Sequence, residues 1–307
     1  MNDLLTIHDL TTEEIEDILT LSAELKEKQK NRQMDCPLIG RTLGMFFEKP
    51  STRTRVSFEV GVYQLGGQAI ALPVSDLQIG RGETIADTAK VLSRYIDAIV
   101  IRTFEHKIVE EWAEHSAIPV INGLTDLHHP CQALADVFTI KEKKGNIKGL
   151  KLIYIGDGNN VAHSLIEICA KTGIDISLAC PKGYEPDKKI VKSAIEDANK
   201  HGSKIEILSN PQNAAMDADV LYTDVWASMG QEKEHKKRLK IFKDYQLNKK
   251  LLKVAKPDAL VMHCLPAHRG EEITEDVLEG TNSVIFDQAE NRLHTQKAVM
   301  VRLMTAS

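Results

Sequence analysis

The residues most able to do chemistry come early. After the apolar run TLGMFF the chain reads EKPSTRTRVSFE, which sets Ser51, Thr52, Arg53, Thr54 and Arg55 side by side. Hydroxyl donors and guanidinium forks at this density suit the oxygens of a phosphate. Val56, Val60 and Tyr63 then keep helical spacing until Gly66 and Gly67 end the pattern. The cluster therefore falls at a strand-to-helix junction, where exposed N–H groups and the helix dipole favour an anion. A capped helix with solvated arginines would use the same residues, and this stretch by itself leaves that alternative open.

Other polar motifs follow. DLHHPCQALAD sets His128, His129 and Gln132 at the start of a helix, with Pro130 in a favoured first-turn position. MHCLPAHRGEE carries His263 and Cys264. Neither motif has the spacing of a known metal site, so hydrogen-bonding roles are expected and no metal is. Cys264 could serve as a nucleophile, but the sequence supplies it with no base. IGDGNN holds Gly156 and Gly158 of a dinucleotide fingerprint, yet Val161 stands where the third glycine belongs. The next strand ends in Cys180 and Pro181 instead of an acidic residue, so no nicotinamide cofactor is expected. Asn160 is a helix cap or a binder of a polar substrate head. The charged stretch at 226–245 reads as a solvated excursion or a lid.

These residues need a frame. The chain has 307 residues, 42% hydrophobic and 27% charged, enough for two domains with substantial cores. A net charge of -5 gives no sign of a nucleic-acid partner. No apolar run is long enough to span a bilayer and the start lacks a signal pattern, so no membrane partner and a cytoplasmic location are expected. Five scattered cysteines do not make a disulfide framework.

Apolar runs alternate with helical patterns. A first helix opens on Thr11 and Glu14, spaced as a capping box, and carries Ile15, Ile18, Ser22 and Leu25 on one side. Strands are predicted at 42–47, 68–73, 97–101 and 118–121, then, beyond the basic stretch KKGNIKGLK, at 151–155, 175–180, 204–208, 219–223, 259–263 and 283–286. Helices fall between most of them, and a last one covers 289–305. The alternation predicts an α/β fold of two doubly wound parallel sheets. Ligands of such sheets bind beyond the carboxyl ends of the strands. Ser51 to Arg55, Arg102, Asn160, Asp224, His263 and Cys264 all fall at such ends or in the loops after them.

Together STRTR, HPCQALAD, DVWASMGQE and HCLPAHRG, in that order and over essentially the full length, resemble the transcarbamoylases. HPCQ and HCLP with SMG resemble the ornithine branch of that family. The resemblance implies a carbamoyl phosphate-binding domain over 1–145, to which the C-terminal helix at 289–307 returns, and an ornithine-binding domain over 146–288, with the active site between them. It implies that Ser51, Thr52, Arg53, Thr54, Gln78, Arg102, His129, Gln132, Cys264, Leu265 and Arg292 hold carbamoyl phosphate. Asn160, Asp224, Ser228 and Met229 would bind L-ornithine, and Arg102, His129, Asp224 and Cys264 would be catalytic. No cofactor is implied, and a homotrimer or a multiple of it is. Two rivals stay open on sequence: a transcarbamoylase for another amine, and a nicotinamide-dependent oxidoreductase on a doubly wound fold.

Overall fold

The structure is a computed structural model that describes residues 1–227 and 232–305. The chain forms two compact units, Met1–Phe138 together with the segment from Glu290 onward, and Thr139–Ala289.

The first unit runs α1 (Thr12–Lys30), β1 (Thr42–Phe47), α2 (Thr52–Gln64), β2 (Gln68–Pro73), α3 (Ile85–Leu92), β3 (Ala98–Arg102), α4 (His106–His115), β4 (Val120–Leu124) and the start of α5 (Pro130–Lys144). Thr11 and Glu14 close both halves of the capping box on α1, which buries Ile15, Ile18, Leu19, Ser22 and Leu25. The strands are parallel and ordered β2-β1-β3-β4. Residues of β3 are buried throughout, as a central strand covered on both faces requires. Phe46 meets Trp112 of α4 with ring centroids 5.6 Å apart, amid Ile99, Ile101 and Val109.

The second unit continues from α5 through β5 (Lys151–Ile155), α6 (Asn160–Thr172), β6 (Asp175–Ala179), α7 (Lys188–His201), β7 (Ile205–Leu208), α8 (Pro211–Ala215), β8 (Val220–Thr223), α9 (His235–Ile241), α10 (Lys249–Leu252), β9 (Leu260–His263), α11 (Glu275–Leu278) and the start of α12 (Ile285–Thr305). Its parallel sheet is ordered β7-β6-β5-β8-β9 over a core that includes Ile153, Leu221 and Val261. No helix among the described residues is long and apolar enough to cross a membrane.

Both sheets are doubly wound, as the alternation predicts. The strand expected at 283–286 does not form. Ser283 makes a single parallel bridge to Val261, and α12 already begins at Ile285. The run Ser-Val-Ile-Phe has strand composition, but a short apolar run does not distinguish a strand from the buried start of a helix. The excursion after β8 also has more structure than a loop, since α9 and two short 3-10 turns fill much of it.

Candidate functional site

Register decides which side chains can meet. In the first unit Phe47 pairs with Arg102, so the chain leaving β1 emerges beside the last residue of β3. This is the point where strand order reverses, the usual ligand crevice of an open α/β sheet. Ser51 caps α2, its hydroxyl accepting from the Thr54 amide at 3.2 Å. Capping uses a lone pair of Ser51 and leaves its proton to donate. Thr52 and Arg53 are exposed on the first turn, and Arg55 pairs with Glu59 at 3.5 Å.

Thr54 is buried at the centre. Its Oγ1 accepts from Arg102 Nη1 at 3.3 Å and from Arg292 Nη2 at 3.0 Å. Arg292 Nη1 also donates to Gln132 Oε1 at 2.8 Å, and Gln132 Nε2 donates to Asp136 Oδ1 at 2.8 Å. Gln296, its amide turned so that the oxygen faces Arg292, accepts from Nη2 and Nε at 3.1 and 3.2 Å. A Cβ on Gly123 of β4 would lie 3.1 Å from Val100 Cγ2 and 3.2 Å from the Ile101 carbonyl oxygen, so a glycine there admits the close approach of β3, with the Thr54 methyl 3.4 Å away. His129 is buried beside this network. Burial first, and then the charges of Arg292, Arg102 and Arg53, hold its imidazole well below the usual histidine range. It is neutral at pH 7 and acts as a hydrogen-bonding group, not as a cation. Cys131 is core: its thiol donates to the Asn122 carbonyl at 3.4 Å, and burial pushes it up to about 12. Gln78 stands outside this hydrogen-bonded network, exposed in the 3-10 turn Gln78–Arg81.

The second unit has its own cluster. Ile155 pairs with Thr223 and Thr223 with His263. Gly156, Asp224 and Cys264 therefore stand level, one residue beyond three adjacent strands, and strand order reverses between β5 and β8. Asp224 is buried, its Oδ2 accepting from Asn159 Nδ2 at 2.8 Å and its Oδ1 from the Cys264 thiol at 3.0 Å. Asn159 Oδ1 in turn accepts from the Val161 and Ala162 amides and from the Tyr154 hydroxyl at 3.2 Å. Burial, reinforced by Asp224, keeps Tyr154 a phenol, well above its usual range. The cap of α6 is thus Asn159; Asn160 is the first helical residue, half-buried beside it. Two adjacent asparagines leave this choice to helix phase, which the sequence does not reveal.

Gly158 is explained without a dinucleotide. A Cβ there would lie 2.3 Å from the Pro186 nitrogen, so its absence admits the backbone at Glu185–Pro186. Leu265 is held at φ 58, and its amide donates to His263 Nδ1 at 2.9 Å. Residues of the excursion are anchored. Arg238 Nη1 donates to Asp157 Oδ2 at 2.6 Å and to the Trp226 carbonyl at 2.8 Å, while its guanidinium lies over Tyr184, 4.9 Å from the ring centroid. Ser228 and Met229 lie outside the described residues.

Each unit thus brings together most of the site residues expected of it: Ser51 to Thr54, Arg102, His129, Gln132 and Arg292 in the first, and Asn160, Asp224, Cys264 and Leu265 in the second. Asp136 and Asn159, which lie within the quoted motifs but carry no expected role, join them, as do Gln296 and Arg238, which lie outside those motifs. Among the described residues two groups of side chains hold metal-ligand atoms within 4.8 Å of one another, Asp224 with His263 and Cys264, and His268 with Glu271 and Glu272.

Residues 2–142 match the family model described as the carbamoyl-P binding domain of aspartate/ornithine carbamoyltransferase, and residues 148–303 match the model of its Asp/Orn binding domain. The chain is 60% identical over 302 residues to the ornithine carbamoyltransferase of Anoxybacillus flavithermus, covering 98% of this chain and 96% of that protein. It resembles the solved ornithine carbamoyltransferase from Pyrococcus furiosus with a TM-score of 0.97 and 57% identity, over 100% of this chain and 98% of the other. The anabolic ornithine carbamoyltransferase from Campylobacter jejuni superposes with a TM-score of 0.93 at 39% identity, with 100% of both chains covered. With its arginine-lined helix start and its buried aspartate, hydrogen-bonded to a half-buried cysteine, at the two places where strand order reverses, this chain belongs to the aspartate/ornithine carbamoyltransferase family.

Proposed function

We infer that the chain transfers the carbamoyl group of carbamoyl phosphate to the side-chain amine of L-ornithine, giving L-citrulline and phosphate. The observation that carries this reading is the complementarity of the two clusters. One presents fixed positive charge and hydroxyl donors; the other presents a buried carboxylate hydrogen-bonded to a thiol.

In this reading the phosphate rests on Ser51, Thr52, Arg53 and Thr54 at the start of α2, with Arg292 and Arg102 adding charge. Thr54, Arg102 and neutral His129 polarise the carbonyl oxygen and stabilise the oxyanion that forms on attack. Gln132 Oε1, fixed by Arg292, offers its second lone pair to the carbamoyl NH2. The Leu265 amide is committed to His263, so the backbone at Cys264 and Leu265 would serve through its carbonyls.

The ornithine amine is a lysine-like ammonium in solution, with a pKa of about 10.4; deprotonating it at pH 7 costs roughly 4–5 kcal/mol. Asp224 and Cys264 face this amine, orient it and draw off its proton, with the departing phosphate as a second acceptor. Once the ammonium has given up that first proton, the nitrogen lone pair forms the new bond to the carbonyl carbon, the carbon–oxygen bond to phosphate breaks, and a second proton passes from the nitrogen to the departing phosphate. Asn160, Ser228 and Met229 hold the α-amino and carboxylate groups.

The same reading makes the protein a cytoplasmic enzyme of arginine biosynthesis or of the reverse catabolic step, working as a homotrimer or a multiple of it, with Gln78 reaching a neighbouring copy's phosphate. Sedimentation equilibrium tests the assembly.

The assay that tests the function measures ureido product from carbamoyl phosphate with ornithine, putrescine, acetylornithine and aspartate in parallel. Preference for ornithine is expected. Turnover with another amine would keep the mechanism and move the substrate; no turnover with any of them would sink the reading.

A further inference from the structure

Glu272 is fully buried, and its two oxygens have different surroundings. Oε1 accepts from the His268 amide at 2.6 Å and meets His263 Nε2 at 3.1 Å. Because His263 Nδ1 accepts from the Leu265 amide, Nε2 carries the proton and donates to Glu272. Oε2 is buried too, but has no hydrogen-bond partner. A carboxylate oxygen desolvated without a donor costs free energy unless something positive meets it.

What faces it is a set of metal-ligating atoms. His268 Nδ1 lies 3.9 Å from Glu272 Oε2 and 3.7 Å from Glu271 Oε2. His235, at the first turn of α9, lies with Nε2 3.0 Å from that same Glu271 oxygen. Bonds of about 2.0–2.2 Å to nitrogen and oxygen in a tetrahedron give ligand–ligand edges of roughly 3.3–3.6 Å. The two edges from His268, 3.7 and 3.9 Å, are within a few tenths of an ångström of that, and all three ligand atoms lie within 4.8 Å of one another.

We propose that His268, Glu271 and Glu272 form a binding site for a divalent transition-metal ion such as Zn2+, with His235 positioning Glu271. Imidazole with carboxylates suits this class of ion, and three protein ligands leave a fourth position for water. His235, by orienting a ligating carboxylate, plays the part that outer partners commonly play at such sites. The bound ion ties the start of α9 to the segment after β9, and through Glu272 and His263 it braces the residue that precedes Cys264. The neighbouring group of Asp224, His263 and Cys264 is a poorer site, because both nitrogens of His263 are already engaged.

Cobalt substitution tests this. The full-length protein is titrated with Co2+ by calorimetry and visible absorption. One equivalent should bind, without the thiolate-to-cobalt charge-transfer band that Cys264 ligation would give. His268→Ala and Glu271→Gln alter side chains that are at least partly exposed. Each should weaken binding about tenfold or more while keeping the wild-type circular dichroism spectrum, and Cys264→Ser should leave affinity unchanged. No binding at millimolar Co2+ would overturn the proposal. So would binding that survives both variants, or binding that carries the thiolate band and disappears with Cys264→Ser.

Discussion

The two units build their polar clusters on the same plan and from opposite materials. Both place them where a doubly wound parallel sheet reverses strand order. In the first unit the cluster is held by Arg102 and Arg292, whose charge does not change between pH 5 and 9, with His129 kept neutral beside them. In the second it is a carboxylate, a thiol and an amide, with a phenol behind them. The contrast suits the two substrates of the proposed reaction. A phosphate keeps its negative charge throughout and is best met by charges that also persist. An amine must lose a proton to react, so its surroundings need groups that can take one or share one. Fold geometry fixes where chemistry happens, and the kind of polar group placed there suits it to one half of the reaction.

The largest effect should come from the second unit. Asp224→Asn keeps the shape and removes the charge, so kcat should fall by about 10²–10⁴, while carbamoyl phosphate affinity, measured by calorimetry, stays near wild type. An undiminished rate would break the comparison on its amine side. Arg53→Ala should do the reverse, weakening carbamoyl phosphate binding about 10- to 100-fold, the range of a charge-assisted hydrogen bond. Unchanged affinity would remove the phosphate cradle. A subtler change is Asn159→Ser, which retains a good helix cap but cannot reach Asp224. About a tenfold loss of kcat at nearly constant Tm is expected, and a fall in Tm with full kcat would make Asn159 purely structural. The smallest effect is on stability and comes from acid. Burial pushes His294 of α12 down to about 4, and His129 is also depressed, whereas both titrate near 6.5 when unfolded. The unfolded chain therefore binds more protons in that interval. Stability should be full above about pH 6.5 and decline as pH falls toward 4. Urea unfolding across this range checks it, and His294→Gln should flatten the slope.

Most of the frame was legible in the sequence, because it rests on local rules. The capping box of α1, the buried strands and the helix starting after Ser51 follow from pattern and spacing. What stayed hidden depends on phase and on distance along the chain. Asn159 and Asn160 are indistinguishable until the helix fixes which one faces Asp224. Arg292 lies 238 residues from Thr54, and only the fold brings them to 3.0 Å; its relevance came from family resemblance, not from spacing. The helix start at Ile285 was masked by strand-like composition. His235 and Glu271 are 36 residues apart and match no metal motif, so their meeting at 3.0 Å is visible only in three dimensions.

Thr54 has one further consequence. Two guanidinium groups donate to its single side-chain oxygen, and its methyl group lies against the strand that carries Gly123. A hydroxyl with both lone pairs occupied can only give a proton, never receive one. Carbamoyl is a flat group whose oxygen and NH2 ends are nearly the same size, so shape alone would let it dock either way round. In the proposed reaction Thr54 would read polarity in place of shape, admitting the oxygen end and turning the NH2 end away, so that a side chain of three heavy atoms would set the orientation of an otherwise ambiguous ligand.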